Sequence, residues 1–302
     1  MTQWTTEQHQ RLIDLILLSV EGATVDEEGL TISGPDGGFL GLPNLTKSIK
    51  HVPESEWPDF LKPYLVLFAG PPEVPSNFEK ARAHLRVRLT PNASEPGWAL
   101  HDPVCDGLDK MLLYKTDCGA ATVSPALIEG WGVPTDQVWA EALEHTIWDE
   151  PRERQIVAKD EMRIIWVRGS FWTSSLLLSL GHLLSPGNRF GAVVMIPLRD
   201  ALLYTEVNDE HVVLDSAGMI DIGGRWYVDE PGPISADLFW YRDVPDGPKI
   251  SRIVRERNGR FQPCWGRDFS AALAELSSDL ETLDSDRRRH RKAQKGASTM
   301  PR

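Results

Sequence analysis

Hydrophobic and polar residues alternate with two different periods along the chain, and each period predicts a different kind of element. Thr5 and Gln8 form a capping-box pattern ahead of apolar residues at helical spacing, which predicts a helix over about residues 5–20. Apolar and polar residues alternate one by one over Arg82–Leu89, which predicts a strand with one polar and one apolar face. The chain therefore combines amphipathic helices with half-buried strands.

Capping residues and prolines mark the start of further predicted helices. These helices lie near residues 55–69, 125–145, 173–184 and 268–283. The stretch 125–145 divides into two helices, the first begun by a Ser124 cap and the second by Thr135. The helix at 173–184 is rich in leucine, and Asp268 is the expected cap of the last helix.

Short apolar runs separated by glycine, proline or asparagine predict strands and tight hairpins. One hairpin joins Gly29–Ile32 to Phe39–Leu42, and another joins Met219–Ile222 to Trp226–Val228 through Gly223-Gly224. A third is expected at Asn258-Gly259. Single strands are predicted at residues 110–114, 120–123, 162–168, 192–196 and 202–207. Because hairpins recur and no regular strand–helix–strand alternation appears, we predict an α+β fold with a mostly antiparallel sheet covered by helices.

Composition shifts divide the chain into three parts. The proline-rich stretch 71–75 separates an N-terminal helix–hairpin–helix segment, residues 1–70, from a main domain over residues 76–286. The last sixteen residues, Arg287–Arg302, hold seven basic side chains and no acidic one, so without them the formal net charge falls from −12 to −19. We interpret this end as a basic disordered tail.

The charge pattern and the cysteine count limit the classes of partner and compartment. A strongly acidic body repels nucleic acid, so only the basic tail is a candidate for nucleic-acid contact. The chain has no run of about 18 apolar residues, and its first residues lack the pattern of a signal peptide. Three cysteines are an odd number in such a chain. We therefore expect free thiols, no membrane contact and a cytoplasmic location.

The strong motifs of nucleotide-binding, hydrolase and zinc proteins are absent from the sequence, so no catalytic residue is assigned. Soft metal ligands gather only at His101, Cys105 and Cys118, with Asp102 and Asp106 nearby. This set names no fourth ligand and matches no compact zinc spacing, so we expect no metal and no cofactor. A nucleophilic Cys118 with His145 or His182 as its base stays open, because it depends on a spatial contact.

Four residues are candidates for binding a partner. Arg199 and Asp200 follow an apolar strand, and an arginine fork suits carboxylate or phosphate. Trp131 and Trp172 are candidates for lining a pocket or partner surface, because tryptophan combines a large apolar area with one donor. A structural interpretation competes with this one: Pro197 ends the strand, Asp200 accepts from turn amides, Arg199 pairs with an acid and the tryptophans pack in the core.

The order of several short motifs resembles a bacterial family of unknown function, the YtpQ-like proteins. These motifs are Arg88-Leu89-Thr90-Pro91, the strand pair around 111–123, the helix ending at Trp131-Gly132, Ala142-Leu143, and the stretch from Ile196 to Asp200 followed by Leu202-Leu203. They cover about residues 82–207. The chain departs from the family pattern in having Glu144-His145 where an asparagine is expected. The resemblance implies an α+β fold and a cytoplasmic bacterial protein, and it brings no catalytic residues.

Three functional hypotheses follow from the sequence. The leading one is a non-catalytic binding or adaptor module that captures another protein at the Arg199–Asp200 turn and neighbouring tryptophans. The second is an enzyme, for example a hydrolase, whose Asp or His groups come together from different elements. It requires a concave pocket with at least two mutually hydrogen-bonded titratable groups. The third is nucleic-acid binding by the Arg287–Arg302 tail.

Overall fold

The computed structural model describes residues 4–35, 38–66, 73–92, 99–116, 119–159 and 162–278, and it confirms the α+β fold. Its α-helices are α1 (Thr6–Ser19), α2 (Leu42–Ile49), α3 (Trp57–Leu65), α4 (Phe78–Ala81), α5 (Pro125–Trp131), α6 (Thr135–Trp148), α7 (His211–Asp229) and α8 (267–278). Its strands are β1 (Thr24–Val25), β2 (Thr31–Ser33), β3 (Phe39–Gly41), β4 (Leu85–Pro91), β5 (His101–Cys105), β6 (Leu108–Lys115), β7 (Ala120–Thr122), β8 (Arg152–Lys159), β9 (Met162–Gly169), β10 (Ala192–Leu198), β11 (Ala201–Glu206), β12 (Leu238–Val244), β13 (Gly247–Arg257) and β14 (Arg260–Pro263). Turns of 3₁₀ helix lie at Glu54–Glu56, Arg82–His84 and Thr173–Leu183.

The described strands form three sheets, and all of their pairings are antiparallel. The largest has the order β14-β13-β12-β10-β11-β9-β8. In the second sheet, β6 pairs with β4 on one side and with β5 and β7 on the other. The smallest sheet is β1-β2-β3. The predicted antiparallel architecture is therefore confirmed.

The largest sheet is buried on both faces, because successive side chains of its strand β10 point alternately into two different apolar clusters. Ala192, Val194 and Ile196 belong to an apolar cluster shared with the second sheet, α5, α6 and the 3₁₀ segment Thr173–Leu183. Val193 and Met195 face the opposite way, into a cluster shared with α7 and α8. A strand buried on both faces is continuously apolar, as this stretch of the sequence is.

The segment before residue 67 has an apolar cluster of its own. Its buried members come from α1, the small sheet, α2 and α3: Leu12, Ile13, Ile16, Ile32, Leu40, Leu42, Leu45, Ile49, Trp57 and Leu61. The capping box of α1 is confirmed, because the Thr5 side chain accepts from the Gln8 amide and the Gln8 side chain accepts from the Thr5 amide. We call residues 4–66 the N-terminal unit.

The hairpin predicted at Gly223-Gly224 is wrong, because residues 211–229 form the single helix α7. Two glycines let this helix lie close to the large sheet. A Cβ on Gly218 would come against the Met162 side chain, and one on Gly223 would stand 2.5 Å from Met195 Sδ. Gly218 and Gly223 thus serve close helix–sheet packing rather than a turn.

Other predicted boundaries also change. The strand predicted from Arg82 begins at Leu85, after a helical turn, and Arg86 on its expected polar face is buried against Glu150. Pro197 does not end β10 but lies at a register shift within it. The leucine-rich helix is a 3₁₀ segment that kinks at Ser179. No pattern in the sequence predicted α2, β8 or β12.

Helix starts are confirmed in part. Ser124 caps α5 as predicted, accepting from the Leu127 amide, whereas Thr135 is the first residue of α6 and Pro134 its cap. Asp268 lies inside α8 and pairs with Lys249 instead of capping the helix. The helix expected over 55–69 is α3, with Pro63 inside it, and residues 67–69 lie outside the described residues. The predicted hairpin at Asn258-Gly259 is confirmed between β13 and β14.

Candidate functional site

The turn between β10 and β11 consists of Arg199 and Asp200, and three backbone hydrogen bonds hold it in place. The Arg199 amide donates to the Gly232 carbonyl at 3.0 Å. The carbonyls of the turn accept from the end of β9 and from the segment that follows it. Asp200 O accepts from the Gly169 amide and Arg199 O from the Ser174 amide, each at 3.0 Å. The backbone of this turn is therefore set by contacts from two other parts of the chain.

The Arg199 side chain lies over an aromatic ring that a second arginine shares. Its Cζ is 4.9 Å from the centre of the Phe171 ring, and the Cζ of Arg88 from β4 is 5.4 Å from the same centre. All three side chains are partly buried, and both arginines make further contacts within the chain. Guanidinium groups stacked on a ring are oriented and partly stripped of water. We call Arg88, Phe171 and Arg199 the Phe171 site.

The Asp200 side chain faces a third arginine at the margin of this site. Its Oδ2 is 3.5 Å from Arg168 Nε, and the Arg168 guanidinium in turn lies 5.7 Å from the Trp166 ring. The Asp200 carboxylate thus contacts the Arg168 side chain. The structural interpretation of the sequence predicted instead that it accepts hydrogen bonds from the amides of the turn. Arg168 is more than half exposed, so its ion pair with Asp200 is screened by water.

The two tryptophan candidates lie in different places. Trp172 is 3% exposed and packs edge-on against Phe171 with ring centres 5.0 Å apart, among Met111 and Leu113. It supports the ring under the arginines from within the core. Trp131 lies at the end of α5, where its indole N–H donates to the Pro75 carbonyl at 3.0 Å. The structure therefore brings Arg199, Asp200 and Trp172 together and leaves Trp131 apart.

The two aspartates near the candidate metal ligands are engaged in ion pairs. Asp106 accepts from Arg252 and Arg255, and Asp102 pairs with Lys110 at 3.0 Å. Burial raises the pKa of the Cys105 thiol to about 12, against the opposing effect of Arg252. Cys118 lies outside the described residues. Within the ranges the structure describes, no three His, Cys, Asp or Glu side chains are arranged to hold a metal ion.

The two candidate bases for Cys118 are His145, which lies in α6, and His182, which packs against the last residue of that helix. His145 Nδ1 is 2.7 Å from Asp149 Oδ2, one turn along α6. His182 packs on Trp148 with ring centres 5.2 Å apart, and burial lowers the pKa of His182. A histidine and an aspartate one helical turn apart are also a common surface pair. Since Cys118 is not described, the proposed nucleophile–base contact stays a hypothesis.

A cleft of about 410 Å³ lies between α8 and the large sheet, lined by Arg189, Phe190, Arg242, Asp268, Ala271, Ala272 and Glu275. Arg189 hydrogen-bonds Glu275 there, and Arg242 lies 3.6 Å from Asp268. The pocket required by the enzyme hypothesis thus exists, but its paired groups are arginines and carboxylates. An arginine keeps its proton throughout the physiological pH range, so these pairs lack a proton donor for acid catalysis.

Sequence reasoning missed the partners of Arg199. Arg88 was expected on the polar face of a strand, and no pattern around Phe171 indicates that two arginines lie over its ring. The two arginines are far apart in the chain and meet because β4 and the β10–β11 turn both approach Phe171. The only local signal is that each arginine lies in a motif of the YtpQ-like resemblance.

No family model, curated protein or solved structure matches the chain. The resemblance to the YtpQ-like proteins therefore stays a prediction. None of the helices in the described part of the chain has the length and apolar character needed to cross a membrane.

Proposed function

We propose that this chain is a non-catalytic binding module that captures an acidic segment of another protein at the Phe171 site. The observation that carries the proposal is the convergence of Arg88 and Arg199 on one aromatic ring. We also place the module in the bacterial cytoplasm, as the family resemblance implies.

The chemistry of the two arginines favours a carboxylate ligand. A guanidinium that lies on a ring is held in a fixed orientation, and the planar edge that carries its N–H groups matches a carboxylate in a two-point hydrogen bond. Phe171 and Trp172 supply a rigid apolar base beside these donors. Arginine and aromatic residues clustered in this way are typical of the residues that dominate binding energy at protein interfaces.

The charge of the whole chain favours a short acidic segment over a nucleic acid. With a formal net charge of −12, the chain repels a long polyanion at distances beyond a few ångströms. A short segment with a few carboxylates brings less negative charge close to the chain, so it is repelled less than a long polyanion. Contact with nucleic acid through Arg287–Arg302 remains the alternative, and those residues lie outside the described structure.

Capture from a lysate of the native host by the immobilised full chain tests the proposal. We compare the wild type with Arg199→Ala, Arg88→Ala and the matched control Arg225→Ala. Arg225 is an exposed arginine on α7 that pairs with Asp221 at 2.6 Å. Thermal unfolding of each variant shows that it is folded.

The expected result is a stoichiometric protein held by the wild type and by Arg225→Ala, lost with Arg199→Ala or Arg88→Ala, and displaced by an excess of oligoglutamate peptide. Equal capture by all four chains would overturn the proposed site. Capture of nothing by the wild type would overturn the proposed function. Capture that disappears only when residues 287–302 are deleted would support the nucleic-acid alternative.

A further inference from the structure

The Arg199 turn is connected to the N-terminal unit through one residue, Gly232. The Gly232 carbonyl accepts from the Arg199 amide, and the Gly232 amide donates to the Asn44 side-chain Oδ1, each at 3.0 Å. Asn44 lies in α2, inside the N-terminal unit. A single glycine therefore has the binding turn on one side and the N-terminal unit on the other.

The Arg199 side chain also lies directly against this glycine. A Cβ placed on Gly232 would stand 2.8 Å from Arg199 Nε, closer than real side chains approach. The segment after Gly232 runs beside the end of β10, with the Ile234 amide donating to the Pro197 carbonyl at 3.0 Å. The position of Gly232 thus limits where the Arg199 guanidinium can lie relative to Phe171.

Two lysines at the C-terminal end of α2, Lys47 within the helix and Lys50 as its C-cap, attach the N-terminal unit next to this point. Lys50 Nζ donates to the Asp229 carbonyl at 2.6 Å, and Lys47 Nζ to the Tyr227 carbonyl at 3.4 Å. These carbonyls belong to the last turn of α7, which has no basic residue of its own. Positive charge at a helix C-terminus is stabilising. The two lysines therefore provide the positive charge that the last turn of α7 itself lacks.

We infer that Asn44 is a positioning residue for Arg199: the N-terminal unit, attached to the end of α7 by its lysines, holds Gly232 and thereby sets the Arg199 guanidinium on Phe171. The inference deepens the proposed function and rests on it for its biological meaning. Because such coupling is reciprocal, occupation of the Phe171 site also strengthens the attachment of the N-terminal unit.

The Arg199 Nε–Hε resonance in a nitrogen–proton NMR spectrum reports this positioning without any partner. A proton near the face of a phenyl ring is displaced by the ring current, and comparison with Arg199→Lys assigns the signal. Asn44→Ala removes the acceptor of the Gly232 amide, whereas Asn44→Asp keeps an oxygen acceptor at the same position. Asn208→Ala is the control, since the Asn208 side chain contacts Glu206 instead.

We expect the Arg199 signal to move toward that of an exposed arginine in Asn44→Ala, and to keep its wild-type position in Asn44→Asp and Asn208→Ala. An unchanged signal in folded Asn44→Ala would overturn the inference, as would a failure of Asn44→Asp to restore it. Capture of the partner should weaken about fivefold or more in Asn44→Ala, at the lower end of measured couplings between sites.

The two proposals fail in distinguishable ways. If the Arg199 signal moves in Asn44→Ala and no chain captures a partner, the positioning role stands and the proposed function is overturned. If Arg199→Ala abolishes capture while Asn44→Ala leaves the Arg199 signal in place, the function stands and the positioning role is overturned. A double change of Lys47 and Lys50 to Gln should move the same signal, because it weakens the attachment to α7.

Discussion

Arg86 Nε donates to Glu150 Oε1 at 2.7 Å, and each side chain is about 95% buried. Arg86 Nη1 donates to the Ala83 and Leu85 carbonyls, and Arg86 Nη2 lies 3.6 Å from Asp149 Oδ2. Lys115 donates to the same Glu150 oxygen at 2.7 Å. The pair joins β4 to the end of α6 and to β6. Removing Glu150 leaves the buried Arg86 charge with two carbonyls and the half-exposed Asp149 carboxylate but without its buried counter-charge, which costs far more than breaking an exposed ion pair.

Glu150→Ala should therefore lower the free energy of unfolding by about 3–5 kcal/mol, measured by urea denaturation. Glu153→Ala on the exposed face of β8 is the control, with an expected change within about 0.5 kcal/mol. A loss below about 1 kcal/mol in Glu150→Ala would mean that water reaches Arg86 and that the pair contributes little.

The same carboxylate predicts a dependence of stability on pH. Burial by itself would raise the pKa of Glu150, but hydrogen bonds and charges from Lys115 and Arg86 outweigh it and hold the pKa below its ordinary value of 4.5. The folded pKa is thus lower than the unfolded one, so this stabilisation is complete above the ordinary value and is lost as the pH falls through the folded pKa. Urea denaturation of the wild type and Glu150→Gln across the acid range should show their difference shrinking as the pH falls. A constant difference would contradict the shift.

Gly232→Ala should disturb Arg199 more than backbone strain alone explains. Gly232 has a φ of +76°, and a Cβ there would meet the Arg199 guanidinium. Gly187, with a φ of +80° and open space around its Cα, is a matched control for the strain, which costs about 1–2 kcal/mol at either position. Only Gly232→Ala should displace the Arg199 Nε–Hε resonance. Displacement in both variants, or in neither, would show that Gly232 does not limit the position of Arg199.

Neighbouring glycines of α7 should respond differently to alanine. At Gly224 an added Cβ meets only Phe261 Cζ at 3.7 Å, an ordinary contact, so Gly224→Ala should stabilise the chain by up to about 1 kcal/mol through helix propensity. At Gly223 the Cβ would meet the wholly buried Met195 and Leu203 side chains, which have no room to move aside. The free energy of unfolding, measured by thermal denaturation, should be lower for Gly223→Ala than for Gly224→Ala by about 1 kcal/mol or more. The reverse order would mean that α7 can shift away from the sheet.

The two described thiols should differ in reactivity toward iodoacetamide. Cys105 is partly buried, and burial raises its pKa to about 12. Cys264 is exposed, and its smaller burial also raises its pKa. The thiolate is the reacting species, so at about pH 8 Cys264 should be alkylated well before Cys105. Mass spectrometry of the digested chain measures both rates, and labelling in concentrated urea should make them equal. Faster reaction of folded Cys105 would show that its surroundings are more open than the structure indicates.

Local signals in the sequence identified local structure well. Thr5 and Gln8 close the capping box of α1, Ser124 caps α5, and Asn258-Gly259 turns between β13 and β14. Each of these features depends on residues within a few positions of one another, and their hydrogen bonds form whatever the rest of the chain does. The same locality explains why the Arg199–Asp200 turn could be placed after an apolar strand.

Local signals failed where a distant surface decided the outcome. Gly223-Gly224 has the composition of a hairpin turn, yet it lies in a helix, where Gly223 packs against Met195 and Leu203 at a distance that only glycine allows. Arg86 occupies a polar position of an alternating pattern, yet it is buried because Glu150 meets it there. Tertiary contacts override local preference when they are this close.

The sequence by itself determined the α+β class, the antiparallel hairpins and the position of the Arg199–Asp200 turn, because periodicity and turn chemistry act over a few residues. Only the tertiary structure decided that Arg88 shares the Phe171 ring with Arg199, that Trp131 lies elsewhere, and that Gly232 connects the turn to Asn44. The order of strands in a sheet and the packing of one unit on another depend on contacts between distant residues. No local pattern carries that information.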